Sequence, residues 1–111
     1  MAHDFEGSKY QETKDIYGSP LVKMIKDDIK SQLPKEYKVL ARKETYAGGW
    51  SIHFTIKNTG IEKYAGADYT EEWKALYAQV HEIIESYNYD SSDMMSDYFS
   101  VKFYSDIRIE K

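Results

Sequence analysis

The chain of 111 residues contains no cysteine, so no disulfide can staple it and no thiolate chemistry is available to it. It has no apolar run near the ~20 residues that a bilayer-crossing helix needs, which removes the membrane as a partner. The first residues, Met1-Ala2-His3-Asp4-Phe5-Glu6, lack the basic start and apolar core of a secretory signal, so the expected location is the cytoplasm. A basic excess is missing as well: the formal net charge is -4. Phosphate binding needs a basic footprint, so direct nucleic-acid binding is not expected.

The motifs of catalysis are also missing. Tyr46-Ala47-Gly48-Gly49 lacks the Gly-x-Gly-x-x-Gly or Gly-Lys-Ser/Thr context of a phosphate loop and reads as a turn. His3, His53 and His81 have no cysteine partners and no His-x-x-x-His spacing, which argues against zinc and against a catalytic triad. The expectation is a protein that is not an enzyme and that carries no cofactor and no metal.

Hydrophobic patterning is strong in what remains. At this length, with 41% hydrophobic and 31% charged residues, the chain suits one soluble domain with one modest core. Residues 1–9 have no periodicity and read as a flexible tail, leaving 10–111 as the domain. Tyr10 to Tyr17 reads as a short helical turn that Gly18 ends. The two prolines both punctuate one helix: Ser19 reads as N-cap with Pro20 at the first helical position, and Pro34 stops it. Between them Leu21, Ile25, Ile29 and Leu33 recur every fourth residue. Tyr37 to Glu44 and Trp50 to Lys57 alternate as strands, with Val39, Ile52, Phe54 and Ile56 inward, and Gly48-Gly49 turns the hairpin. Asn58 to Asp68 reads as a loop. Thr70 caps a second helix in which Trp73, Leu76, Tyr77, Val80, Ile83, Ile84 and Tyr87 keep helical spacing. Phe99 to Ile109 reads as a long last strand, with Val101 and Phe103 inward. The order α-β-β-α-β implies an α+β two-layer sandwich, with two helices on one face of a small antiparallel or mixed sheet. Its other face would show Arg42, Glu44, Ser51, His53, Thr55, Lys57, Lys102, Tyr104 and Arg108.

Charge is unevenly placed. Residues 1–60 carry ten Lys/Arg against eight Asp/Glu, and residues 61–111 carry five against eleven. An acidic half suits a basic protein partner. Eleven tyrosines point the same way, because a half-buried ring with a wet hydroxyl serves a contact surface as well as a core. The two features meet in the connection from Tyr87 to Phe99. It holds Asp90, Asp93 and Asp97, the tyrosines 87, 89 and 98, and the adjacent Met94 and Met95. Tyr87, Tyr89, Asp90, Asp93, Met94 and Asp97, extended by Glu82 and Glu85 on the preceding helix, form the candidate partner-binding set. Two other readings weigh against it. The aspartates offer oxygen ligands, but the EF-hand order is absent. They also suit an Asx-rich turn.

Read in order, residues 38–57 around Tyr46-Ala47-Gly48-Gly49, the start Tyr69-Thr70-Glu71-Glu72-Trp73, and Tyr87-Asn88-Tyr89-Asp90-Ser91-Ser92-Asp93 with the following strand resemble a large polyvalent protein-associated domain. That family occurs within large multidomain proteins, and as small free-standing proteins, of phages, plasmids and other mobile elements. The resemblance covers roughly residues 20–109 and departs from the family pattern at Tyr17-Gly18-Ser19-Pro20. It implies a mobile-element origin and a role in the contest with host defences, and it supplies no catalytic residues. Small acidic proteins in that setting are often similar to anti-restriction or anti-CRISPR proteins, which act by binding. The expected function is therefore inhibition of a host defence protein by covering its basic nucleic-acid-binding surface. Two alternatives stand beside it: nucleic-acid binding by the polar sheet face through Arg42, Lys57, Lys102, Tyr104 and Arg108, and a structural adaptor in a phage or plasmid complex. Self-association stays open.

Overall fold

A computed structural model of the chain describes residues 5–47, 49–90 and 102–111. Its elements are β1 (Phe5–Glu6), α1 (Tyr10–Thr13), α2 (Gly18–Gln32), β2 (Lys38–Tyr46), β3 (Gly49–Lys57), β4 (Tyr64–Ala65), β5 (Asp68–Tyr69), α3 (Glu71–Glu85), β6 (Tyr89–Asp90) and β7 (Tyr104–Ile109). The fold is α+β. β2, β3 and β7 form one mixed sheet in that order, β2 antiparallel to β3 and β7 parallel to β3. The parallel pair follows from α3, which crosses over between β3 and β7.

One core joins the layers. α2 packs on β2, α3 packs beside β7, and the two helices touch. Leu21, Ile25 and Ile29 from α2 meet Val39, Ile52, Phe54 and Ile56 from the sheet and Leu76, Val80, Ile83 and Ile84 from α3. Burying such side chains stabilises by roughly 1.5–3 kcal/mol each, before conformational entropy is set against it. The expected inner faces of both helices and of β2 and β3 are therefore the observed ones; Val101 lies outside the described residues.

Several local expectations change. α2 begins at Gly18 rather than after Ser19, its N-cap position is Tyr17, and no side chain caps it. Gly18 has φ 67, a left-handed conformation that glycine adopts without strain and that swings the chain into the helix. Thr70 does cap α3, accepting from the Trp73 amide at 3.2 Å. The 58–68 loop contains most of a small hairpin, β4 with β5. The turn assignment cannot rest on Gly49, which has no positive φ and already belongs to β3 opposite Tyr46; Gly48 lies outside the described residues. β7 starts at Tyr104; Lys102 and Phe103 before it lie outside the strand and are buried, and the expected strand start from Phe99 to Val101 lies outside the described residues.

The flexible tail expected over residues 1–9 does not hold for residues 5–9. β1 pairs antiparallel with β6, the Gly7 amide donates to the Asn88 carbonyl at 2.9 Å, and the Lys9 amide donates to the Ser86 carbonyl at 2.7 Å. Gly7 is buried so closely that a Cβ there would fall into the backbone of Glu85 and Ser86. The segment docks because glycine permits that approach and because the α3 C-terminus offers it acceptors.

Candidate functional site

Helical spacing on α3 builds a second apolar feature besides its core face. Tyr69, Trp73, Tyr77 and His81 recur every fourth residue, which places their rings one above another on the helix flank. The rings stack in sequence, at 4.4 Å for Tyr69–Trp73, 5.2 Å for Trp73–Tyr77 and 6.1 Å for Tyr77–His81, with interplanar angles of 14°, 23° and 11°. Tyr64, from β4, extends the stack at 5.1 Å from Tyr69. The Lys63 ammonium sits 5.4 Å from the Tyr64 centroid and 5.8 Å from those of Tyr69 and Trp73. Inner rings of such a ladder have both faces covered by their neighbours and present edges outward. Base stacking needs free faces.

Beside the ladder runs an open groove of about 710 Å³ between α3 and β7. Tyr77, His81, Glu82 and Glu85 form its helical wall, and Tyr104 to Ile107 form its sheet wall. Three carboxylates, Glu82, Glu85 and Asp106, line it, and His81 is the one basic side chain among the lining residues. Glu82 and Glu85 make the helical wall acidic, whereas the Asp106 carboxylate is engaged by His53 on the outer face.

The groove coincides with an outer edge of the sheet. β7 is the last strand in the order, and among the described residues nothing pairs with its far side. The Glu110 amide donates to the Ile56 carbonyl at 2.7 Å, so Tyr104, Asp106 and Arg108, sharing its parity, also turn their amides toward β3. Ser105, Ile107 and Ile109 therefore direct their amides and carbonyls away from the sheet, along the groove.

Of the eight residues expected to bind a partner, Glu82 and Glu85 lie in this groove. Tyr87 does not belong to any surface. It is 6% exposed, and its hydroxyl donates to Asp28 at 2.8 Å. Its place as a partner contact is corrected: helical periodicity carries it inward past the end of α3, and it ties α3 to α2. Burial, then the hydrogen bond to Asp28 and its charge, hold the Tyr87 hydroxyl far above the usual phenol range. For Asp28, burial pushes upward, but hydrogen bonds from Lys9, Tyr87 and Gln32 outweigh it and hold the carboxyl below its usual range. Tyr89 and Asp90 supply the backbone of β6. Asp93, Met94 and Asp97 lie outside the described residues.

Asn88, next to Tyr87, has a structural role that the sequence does not announce. It is buried; its amide nitrogen donates to the Phe103 carbonyl at 3.1 Å, and its side-chain oxygen accepts from the Phe103 amide at 3.3 Å. The side chain thus replaces a strand partner at the entry to β7.

The outer sheet face is less basic than its sequence suggests. Lys102 is buried, donates to the Thr13 carbonyl, and lies 5.3 Å and 4.9 Å from the ring centroids of Tyr10 and Tyr17. Burial lowers its pKa, with Asp15 opposing. It leaves the expected nucleic-acid contact set. At the centre of the face, His53 Nδ1 bonds Asp106 and Nε2 bonds Glu44 at 3.0 Å. Hydrogen bonds to Glu44 and Asp106 raise its pKa, against a smaller effect of burial. Both ring nitrogens are engaged by carboxylates, so neither is free to take a proton from a nucleophile. No cluster of three or more metal-ligating side chains occurs among the described residues. No helix among them is long and apolar enough to cross a membrane.

Alternation puts Tyr104 on the polar sheet face, where it lies, but does not single out Asp106 or show that β7 is outermost among the described strands. The ladder has a signal in the sequence, the i, i+4 recurrence of Tyr69, Trp73, Tyr77 and His81, of which only Trp73 and Tyr77 enter the helical core pattern. Comparison with protein-family models, curated proteins and solved structures finds no match to this chain.

Proposed function

We propose that the protein is a non-enzymatic, acidic binding protein of a mobile element that inhibits a host defence protein in the host cytoplasm. It acts by covering a basic nucleic-acid-binding surface. The observation that carries this reading is the groove walled by Glu82 and Glu85 beside the tyrosine-rich flank of α3, with Asp106 of β7 at its outer rim. Carboxylates there complement a surface evolved to hold phosphates, and electrostatic attraction speeds the encounter. Rigid aromatic edges next to them supply apolar contact at low entropic cost. The setting in phages or plasmids comes from the resemblance of residues 20–109 to large polyvalent protein-associated domains.

The test is affinity capture from a bacterial lysate with the wild-type protein and with the Glu82→Gln, Glu85→Gln double variant, read by mass spectrometry. A nucleic-acid-binding protein retained by wild type, lost by the variant and displaced by added DNA or RNA is the expected result. Equal retention by both proteins, or displacement by neither nucleic acid, refutes the reading.

A further inference from the structure

We propose that β7 accepts an additional strand: an extended, arginine- or lysine-bearing segment of a protein partner lies in the α3–β7 groove and hydrogen-bonds to Ser105, Ile107 and Ile109. This deepens the reading of the acidic groove as the docking surface and rests on it.

Three observations converge. The first is an edge that is unpaired among the described residues. Ser105, Ile107 and Ile109 aim their backbone groups away from β3, and no described strand meets them. Such a row is a template for another strand. The second is the wall. α3 stands beside the edge with Tyr77, Glu82 and Glu85 facing the groove, so an added strand would be enclosed on its helical side. The third is charge. Alternate side chains of the added strand would point at that wall, and the others would pass Tyr104 and Asp106 on the outer side. An inward arginine lays its aliphatic stem on Tyr77 and Ile107 and brings its guanidinium to Glu82 or Glu85. A second copy of this chain fits less well. Antiparallel pairing of β7 with itself sets both α3 helices on one face of the joined sheet, with their glutamates side by side.

The probe is a short fluorescent peptide of alternating arginine and valine, followed by anisotropy. Two further peptides carry N-methyl groups on alternate residues, one in each phase. In an added strand only alternate amides face β7, so methylation in one phase abolishes binding and in the other leaves it unchanged. On the protein side, Ser105→Pro removes an edge donor while the β3 ladder keeps its own bonds through residues 106, 108 and 110. That change should weaken the peptide about tenfold or more without altering the circular dichroism. The Glu82→Gln, Glu85→Gln double variant should weaken it and flatten its salt dependence. If the double variant loses the peptide but Ser105→Pro and both methylated peptides behave like their parents, strand addition is wrong and the acidic docking surface stands. Failure of the unmodified peptide to bind wild type overturns strand addition outright. Concentration-dependent dimerisation that Ser105→Pro abolishes, without peptide binding, assigns the edge to a second copy and overturns the proposed occupant.

Discussion

β2 and β7 are the two outer strands of one sheet, and each has a helix beside it, yet their chemistry is opposite. β2 is nine residues long, and from Arg42 to Tyr46 it is exposed on both faces. The surface between it and α2 carries Lys23, Lys26, Lys30 and Lys43 against Asp27. A charged, lysine-bearing edge is how proteins discourage a further strand. β7 is six residues long, and the surface between it and α3 carries Glu82, Glu85 and Asp106 against aromatic rings. One edge is blunted and basic; the other is short, walled and acidic. The charge imbalance between the two halves of the chain is thereby turned into two sides of a single domain, because the first half contributes α2 and β2 and the second contributes α3 and β7. The lesson is that a modest net charge can conceal two surfaces of opposite sign.

The largest expected effect falls on what both edges share. Phe54 is 1% exposed at the centre of β3, in the core cluster that includes residues of both helices. Phe54→Ala should cost about 3–5 kcal/mol, much of the stability of a domain this size, and both edges should fail together in thermal unfolding. A variant melting within a few degrees of wild type would mean that the edges are not held by one core.

Asn88→Ala separates the edges. It leaves the Phe103 amide and carbonyl buried without their side-chain partner, which should cost roughly 1–3 kcal/mol. Hydrogen exchange should rise at Phe103 and along β7 well before it rises along β2. Uniform acceleration would show that Asn88 supports the whole sheet equally.

Gly7→Ala should act further from the sheet. The added methyl meets the backbone of Glu85 and Ser86, an overpacking cost of about 1–3 kcal/mol that the chain limits by releasing residues 5–9. The amides of Gly7 and Lys9 should lose protection while those of β3 keep theirs. Retained protection at Gly7 would contradict the close approach.

The smallest effect is a pH dependence on the sheet face between the edges. His53 bridges Glu44 of β2 and Asp106 of β7, and its folded pKa is raised. The folded state therefore binds its proton more tightly than the unfolded chain does. The resulting stability is present in full below the unfolded histidine pKa of about 6.5 and is lost as pH rises through the folded value. Arg42 and Arg108 lie nearby on the same face. Unfolding measured across that range, wild type against His53→Gln, should show a slope in wild type that the variant lacks. A parallel pair of curves would show that the bridge contributes nothing.

Strand and helix periodicity carried the core: Leu21, Ile25, Val39, Ile52, Phe54, Ile56, Leu76, Val80 and Ile84 are readable one residue at a time, because each repeat maps onto one buried face. Thr70 was legible for the same local reason, since an N-cap is a contact over three residues. The candidate site was legible only in part. Glu82 and Glu85 stand out by charge and helix face, whereas Asp106 comes to the rim of their groove only because β7 docks parallel to β3 at the edge of the sheet. Tyr87 carries the same chemistry as a surface tyrosine, and only its position over Asp28 makes it a structural tie. Lys102 reads as a polar strand residue until Tyr10, Thr13 and Tyr17 close over it. Burial periodicity, capping and net charge are properties of short stretches of chain, so the sequence by itself determined the α+β layers and the acidic second half. Which strand lies at the edge, which side chains meet across 52 or 59 positions of chain, as Trp50 meets the Lys102 carbonyl and Asp28 meets Tyr87, and where the acids lie were decided by tertiary packing alone, because those contacts exist only once distant segments share one core.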